Sequence, residues 1–163
     1  MKITFKLTFI ILLMIFSTTY NMSTQNLKKI SDGVESSDKS VNLTLNISNI
    51  KSDSGFIRIH LYNAERKEYF PKKTGKCFQR QVVKIQKGHS IAVFENLPAD
   101  FYCLSVHHDE NSNEQMDTNF LGIPKEGWGI SNNVKLFMRL PEFDECSFRL
   151  NGKDTSINVE MRY

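Results

Sequence analysis

The chain has few of the residues and patterns that carry catalysis, metal clusters or nucleic-acid binding. It contains three cysteines and no C-x-x-C pair, which excludes the usual zinc spacings. The net charge is +3 at pH 7, and the basic residues are spread along the chain rather than clustered, which argues against a nucleic-acid partner. No G-x-S-x-G or H-E-x-x-H motif occurs. We therefore expect a protein that is not an enzyme.

The first residues have the features of an export signal. Lys2 and Lys6 accompany an apolar run over residues 7–16, which is shorter than the roughly 20 apolar residues of a membrane-spanning helix. We predict a signal peptide over residues 1–22, a flexible polar linker over 23–40 and a folded domain over 41–163. The mature protein is then periplasmic or secreted and has no membrane span. An uncleaved membrane anchor is the alternative.

The domain shows the alternation of apolar and polar residues that is typical of β-strands. Residues 41–47 and 56–62 both alternate at period two, and a turn between them predicts a hairpin. Five further short runs follow, the last two joined by Asn151-Gly152, another hairpin signal. The pattern predicts an all-β fold, a seven-stranded antiparallel β-sandwich of immunoglobulin-like or transthyretin-like type. A barrel is the alternative.

The cysteines allow at most one intramolecular disulfide. Export would let such a bond persist. Cys103 and Cys146 both lie in runs that resemble strands, so they are the first candidates for a bridge, with Cys77 left over. The alternative is that all three are small buried side chains.

A polar stretch after the fifth predicted strand is a candidate calcium loop. Its oxygen-bearing side chains fall at positions 1, 3, 5, 7 and 9 of a calcium-loop register: Asp109, Asn111, Asn113, Gln115 and Asp117. Glu114 stands where the turn normally has glycine, and Phe120 stands where a bidentate glutamate would complete the shell. The spacing predicts calcium as a tentative cofactor. The alternative is a surface loop of Asx turns.

The following stretch supplies candidate ligand-binding residues. Trp128 lies between two glycines and could stack on a glycan or a peptide, or close one end of the sandwich. Other polar residues at this end of the chain join it as candidates: His108, Asn119, Glu126 and Asn132. Adjacent strand residues face opposite ways, so His107 and His108 cannot bind one metal from a regular strand. A hydrolase using His108, Asp109 and Glu110 is a further alternative.

The residues of these two stretches carry a family resemblance. Residues 108–113 and 117–133 resemble the signature of exported bacterial proteins known as the domain of unknown function 2141 family. The resemblance covers about residues 41–163 and implies an exported β-sandwich with no established activity. We expect its partner to be an unknown extracytoplasmic glycan, peptide or protein. Members of that family have glycine at the places of Ser112 and Glu114 and an aromatic at that of Trp128. Where those members have a phenylalanine two positions after this aromatic, the present chain has Ile130.

Overall fold

The structure, a computed structural model, describes residues 40–135 and 139–163. The predicted signal peptide and all but the last residue of the predicted linker lie outside the described residues. Within the described residues, no helix combines the length and the apolar character needed to cross a membrane.

Strands are the main regular elements of the described chain. The strands are Val41–Ser48 (β1), Phe56–Asn63 (β2), Gln79–Val83 (β3), Ser90–Leu97 (β4), Phe101–Asp109 (β5), Gly127–Ile130 (β6), Phe148–Arg149 (β7) and Thr155–Glu160 (β8). One short α-helix covers Phe143–Cys146 (α1), and 3-10 turns cover Ala64–Tyr69, Thr74–Lys76 and Ser131–Asn133.

The strands form two sheets that share one core. The smaller sheet has the order β4-β1-β8, and the larger has β3-β2-β5-β6 with β7 also paired to β5. The core between the sheets follows from the alternation of side chains along each strand. In β1, Leu43, Leu45 and Ile47 are buried, and the residues between them are partly exposed. From the larger sheet, Ile59 and Leu104 belong to the same cluster. The predicted all-β sandwich is confirmed.

Strand partners differ from the sequence-based expectation in two places. β1 and β2 do not form the predicted hairpin, because β1 pairs with β4 and β8 while β2 pairs with β3 and β5. Asn151-Gly152 likewise joins strands of different sheets, and β8 runs parallel to β1. Alternation determines which face of a strand is buried but not which strand lies beside it.

Local structure also differs around the cysteines and the glycine-rich stretch. Cys146 ends α1 instead of lying in a strand, and β6 forms where a loop was expected. The described residues therefore form eight strands, where seven were predicted. Cys77, Cys103 and Cys146 are free thiols in the structure. Cys103 and Cys146 lie in the same buried cluster.

That cluster lies on the outer face of the larger sheet, the face turned away from the main core. Tyr62 and Cys103 are paired across β2 and β5, one position along from the core pair Leu61 and Leu104, and therefore point the opposite way. The other buried members come from the connecting segments and β6: Phe70, Ile130, Phe143 and Cys146. Further along the same face the side chains are polar: His60, Ser105, Arg58 and His107.

Gly129 allows β6 to approach β8 closely. A Cβ at Gly129 would lie 2.6 Å from Cγ1 of Val159 and 3.2 Å from the Met161 sulfur, whereas one at Gly75 would meet nothing within 4 Å. We expect Gly129→Ala to lower the free energy of unfolding by about 1–3 kcal/mol through overpacking and Gly75→Ala to change it by less than about 0.5 kcal/mol. Urea unfolding of the two variants measures the difference, and equal stability would contradict the close contact.

Candidate functional site

The base of the loop that follows β5 is organised by Asp109. This carboxylate is fully buried; its Oδ1 accepts the N–H of Asn113 at 3.0 Å and its Oδ2 accepts the N–H of Glu114 at 3.1 Å. Arg58, from the neighbouring β2, donates its Nε–H to Oδ2 at 2.6 Å and reaches Glu114 with Nη2 at 3.2 Å. The guanidinium thus supplies the positive charge that a buried carboxylate requires.

The electrostatics of Asp109 follow from these contacts. Burial alone would raise the pKa of its carboxyl. The hydrogen bond from Arg58, the N–H of Glu114 and the charge of Arg58 outweigh burial and hold the pKa below its usual value. Asp109 therefore carries its charge at neutral pH and stays an acceptor for the loop backbone.

A second buried carboxylate, Glu126, holds the two ends of the loop segment. Its Oε1 accepts the N–H of Glu110 at 3.0 Å, and its Oε2 accepts the N–H of Asp117 at 3.1 Å. His107 Nε2 lies 2.8 Å from the same Oε2. Glu126 is 4% exposed, so this predicted ligand-binding residue is turned inward and braces the loop.

His107, Asp109 and Glu126 together are chemically able to hold a cation. All three are buried, and their ligand atoms lie within 4.8 Å of one another. Four backbone N–H groups, Arg58 and the imidazole already occupy the carboxylates. The cluster is therefore satisfied by the chain's own donors.

The other predicted calcium ligands meet outside this base. Asn111 Nδ2 lies 2.6 Å from Asp117 Oδ2, and Asn113 Nδ2 lies 3.3 Å from Asp117 Oδ1. The side-chain oxygens of the two asparagines accept the N–H groups of Asn113 and Gln115, as Asx turns do. Gln115 takes part in this network through its backbone N–H, and the residue is exposed. Three of the five predicted ligands therefore converge at an exposed position.

The loop backbone has the left-handed conformation at two positions where glycine would be favoured. Ser112 has a φ of 62° and Glu114 a φ of 68°. A non-glycine residue rarely adopts such angles and is strained there. These are the two positions at which the family resemblance drawn from the sequence implies glycine.

His108 faces the opposite side of β5 from Asp109. Its Nε2–H donates to the Ser54 carbonyl at 2.9 Å, since a carbonyl can only accept, and its Nδ1 lies 2.7 Å from the Tyr163 hydroxyl. Glu110 approaches it only at 3.8 Å. The residues of the predicted hydrolase site therefore do not converge on one point, and His108 ties the loop between β1 and β2 to the C-terminal residue.

Trp128 and Asn132 are held by internal contacts. The Trp128 ring is half-buried against the outer cluster, with the Arg162 guanidinium 5.5 Å from its centroid. Asn132 donates its side-chain amide to the Ser147 carbonyl at 3.0 Å. Gly127 flanks Trp128 because a Cβ there would lie 2.6 Å from the Tyr163 ring. Close packing, and not flexibility, explains this glycine.

The tip of the loop is apolar and exposed. Phe120 is 95% exposed, Leu121 67% and Ile123 55%. Asn119 shapes the tip, because its side-chain Oδ1 accepts the N–H groups of Leu121 and Ile123 and its own N–H donates to the Ile123 carbonyl. Gly122 completes the turn with a φ of 77°. The predicted ligand-binding residue Asn119 thus supports neighbours that face the solvent.

Sequence reasoning did not find Arg58 or the apolar tip. Arg58 is separated from Asp109 by 51 positions in the sequence, and only the pairing of β2 with β5 brings them together. The tip could have been found from the local sequence, because apolar residues inside a polar loop indicate side chains that are exposed to solvent.

A family model described as an uncharacterized protein conserved in bacteria (DUF2141) matches residues 45–158. The chain belongs to this family. The DUF2141 match begins within β1 and ends within β8, so it contains the loop base and the tip. No curated protein and no solved structure matches the chain. The family resemblance drawn from the loop residues is confirmed.

The two partners of Arg58 should differ in their effect on stability. Asp109 is 0% exposed and Glu114 75% exposed at the side chain. We expect Asp109→Asn to lower the free energy of unfolding by about 3–5 kcal/mol, because it removes the buried charge that pairs with the Nε–H of Arg58 and accepts two backbone N–H groups. Glu114→Gln should cost less than about 1 kcal/mol. Urea unfolding at neutral pH tests this, and similar losses in both variants would refute the role given to Asp109.

Proposed function

We propose that this DUF2141 protein is an exported, non-enzymatic binding module that contacts its partner through the loop tip. The observation that carries the proposal is the exposure of Phe120, Leu121 and Ile123 on a short turn. Adjacent large apolar side chains in water are unfavourable, and burying each one contributes roughly 1.5–3 kcal/mol. Such an arrangement is typical of interaction sites.

The hydrogen bonds of the tip favour an apolar partner surface. The N–H groups of Asn119, Leu121, Gly122 and Ile123 all have acceptors within the turn. The tip therefore has few free donors for a polar ligand and loses little when it is desolvated. Aliphatic side chains at two of its positions do not stack on sugars, so a peptide or protein surface suits it better than a glycan.

The charges around the tip favour a protein over a lipid surface. Glu110, Glu114 and Asp117 lie in the same loop, and Lys125 is its only basic residue. An excess of carboxylates is repelled by the negative surface of an anionic membrane. We therefore assign the tip to an apolar groove of a peptide or protein.

The tip can be tested with a displayed peptide library panned against the purified protein. We expect apolar peptides to be enriched and Phe120→Ser with Leu121→Ser to weaken their binding at least about tenfold, the loss of about 1.4 kcal/mol. The control pair is Val82→Ser with Ile91→Ser, which are 51% and 64% exposed on strands. Failure to enrich any peptide, or enriched peptides that bind the tip variant equally well, would overturn the proposal. Glycan binding that is lost in Trp128→Ala would favour the glycan alternative.

We propose as a second candidate that calcium binds at Asp117. Asn111 and Asn113 lie beside the half-buried carboxylate of Asp117 and contact it with their amide nitrogens. Calcium would replace these two hydrogen bonds, and each amide oxygen keeps a lone pair beside its Asx turn that can turn to the ion. Asp109 would hold the loop in shape rather than bind the ion. Calcium there would reduce the negative charge next to the tip.

Calcium binding should appear as a rise in Tm. For a dissociation constant typical of extracellular modules, about 10 mM calcium contributes about 1.4–2.7 kcal/mol to the free energy of unfolding. Asp117→Asn should abolish that gain without the structural damage that Asp109→Ala would cause, and Asp144→Asn, on the distant α1, is the matched control. A Tm unchanged by calcium, or a rise that survives in Asp117→Asn, would exclude the site.

A further inference from the structure

The connection between β7 and β8 contains the only asparagine–glycine pair of the sequence, Asn151-Gly152. The two flanking strands lie in different sheets, so no hairpin ladder encloses the pair. Asn151 is exposed, and Gly152 is half-buried with a φ of 79°. Because glycine adopts such a backbone angle readily, the connection can turn here without strain.

The two neighbouring groups of this pair are accessible and are not held by hydrogen bonds. Within residues 40–135 and 139–163, neither the Asn151 side chain nor the Gly152 N–H has a hydrogen-bond partner. The contacts of the connection lie on either side of the pair. Leu150 donates its N–H at 2.9 Å to a carbonyl just before β5, and Asp154 accepts the N–H of Asn42 at 2.8 Å. A Cβ built on Gly152 would meet nothing within 4 Å.

We propose that Asn151 is a site of spontaneous covalent modification, at which the side-chain amide is converted to a carboxylate. The backbone nitrogen of Gly152 attacks Cγ of Asn151 and forms a cyclic succinimide, while the side-chain nitrogen leaves as ammonia and takes the proton of the attacking N–H. Water then opens the ring at either of its carbonyls and gives aspartate or isoaspartate. The only co-reactant is water. Glycine favours the attack, because it has no Cβ to hinder its nitrogen.

A second asparagine followed by a small residue, Asn111-Ser112, shows how the fold can oppose this reaction. Asn111 Oδ1 accepts the N–H of Asn113 at 3.0 Å, and its Nδ2 donates to Asp117 at 2.6 Å. These two bonds hold the amide, and they must break before Cγ can approach the backbone nitrogen of Ser112. Asn111 and Asn151 are both exposed, so hydrogen bonding, and not exposure, distinguishes the two sites.

The modification changes the connection that leads into β8. That strand begins at Thr155, and the preceding Asp154 ties its start to β1 through Asn42. Either product adds a carboxylate next to this contact, and the isoaspartate product also adds a methylene group to the backbone between the two sheets. The modified protein is therefore more acidic than the parent chain.

Peptide mapping of the purified protein after incubation at mildly alkaline pH tests the proposal. A glutamate-specific protease cuts after Glu145 and Glu160 and releases a peptide that contains Asn151, and fragment masses locate the new acid. The comparison is between folded protein and protein unfolded in guanidinium chloride. We expect folding to slow conversion at Asn111 at least about tenfold, because its amide reacts only after local opening, and to slow it at Asn151 less than about threefold. Equal protection at the two sites, or no conversion at Asn151, would overturn the proposal.

Two matched variants assign the acidic form of the intact protein, which ion-exchange chromatography separates. Asn151→Gln should abolish this form, because the longer side chain would have to close a larger ring, and it should leave the Tm unchanged at an exposed position without hydrogen bonds. Asn111→Gln, the same change at the protected pair, should leave the acidic form in place. An acidic form that persists in Asn151→Gln would locate the modification elsewhere and refute the proposal.

Discussion

The loop that follows β5 depends on a buried negative charge at Asp109. A carboxylate at 0% exposure is tolerable only because Arg58 lies beside it and two backbone N–H groups point at it. The same contacts hold Asn113 and Glu114 in place, including the left-handed backbone of Glu114. The middle of the loop segment is therefore held on β5 by one ion pair between neighbouring strands.

Glu126 repeats this arrangement, and the two carboxylates together make the loop suitable for binding. Asp109 holds the middle of the loop segment and Glu126 holds Glu110 and Asp117 at its ends. The tip follows this segment, and the two ends of the stretch that carries it are joined, because Glu126 accepts the N–H of Asp117 and the Asp117 carbonyl accepts the N–H of Lys125. A rigid contact surface loses less conformational entropy on association than a mobile one. The polar base of the loop therefore supports the apolar tip.

Sequence patterns revealed the faces of the strands but not their neighbours. The alternation of Leu43, Leu45 and Ile47 correctly predicted a half-buried strand, yet it contains nothing that selects β8 as a parallel partner. The spacing from Asp109 to Asp117 is equally ambiguous, because Asx turns and ion ligands require the same residues at the same intervals. What assigns Asp109 to the support of the loop backbone is Arg58, a cation 51 positions away in the sequence, and the fold alone brings it there.

The outer face of the larger sheet has two ends with different electrostatic requirements. At one end, Asp109 and Glu126 meet Arg58 and His107, so charges of both signs are present and close. Between the ends lies His60, whose pKa falls to about 4, chiefly through burial and then through His107, Arg80 and Arg58. A group held uncharged at neutral pH neither screens nor bridges the two ends. At the other end lies the apolar cluster around Tyr62 and Cys103, so among the described residues the buried charges of this face are confined to the end that carries the loop.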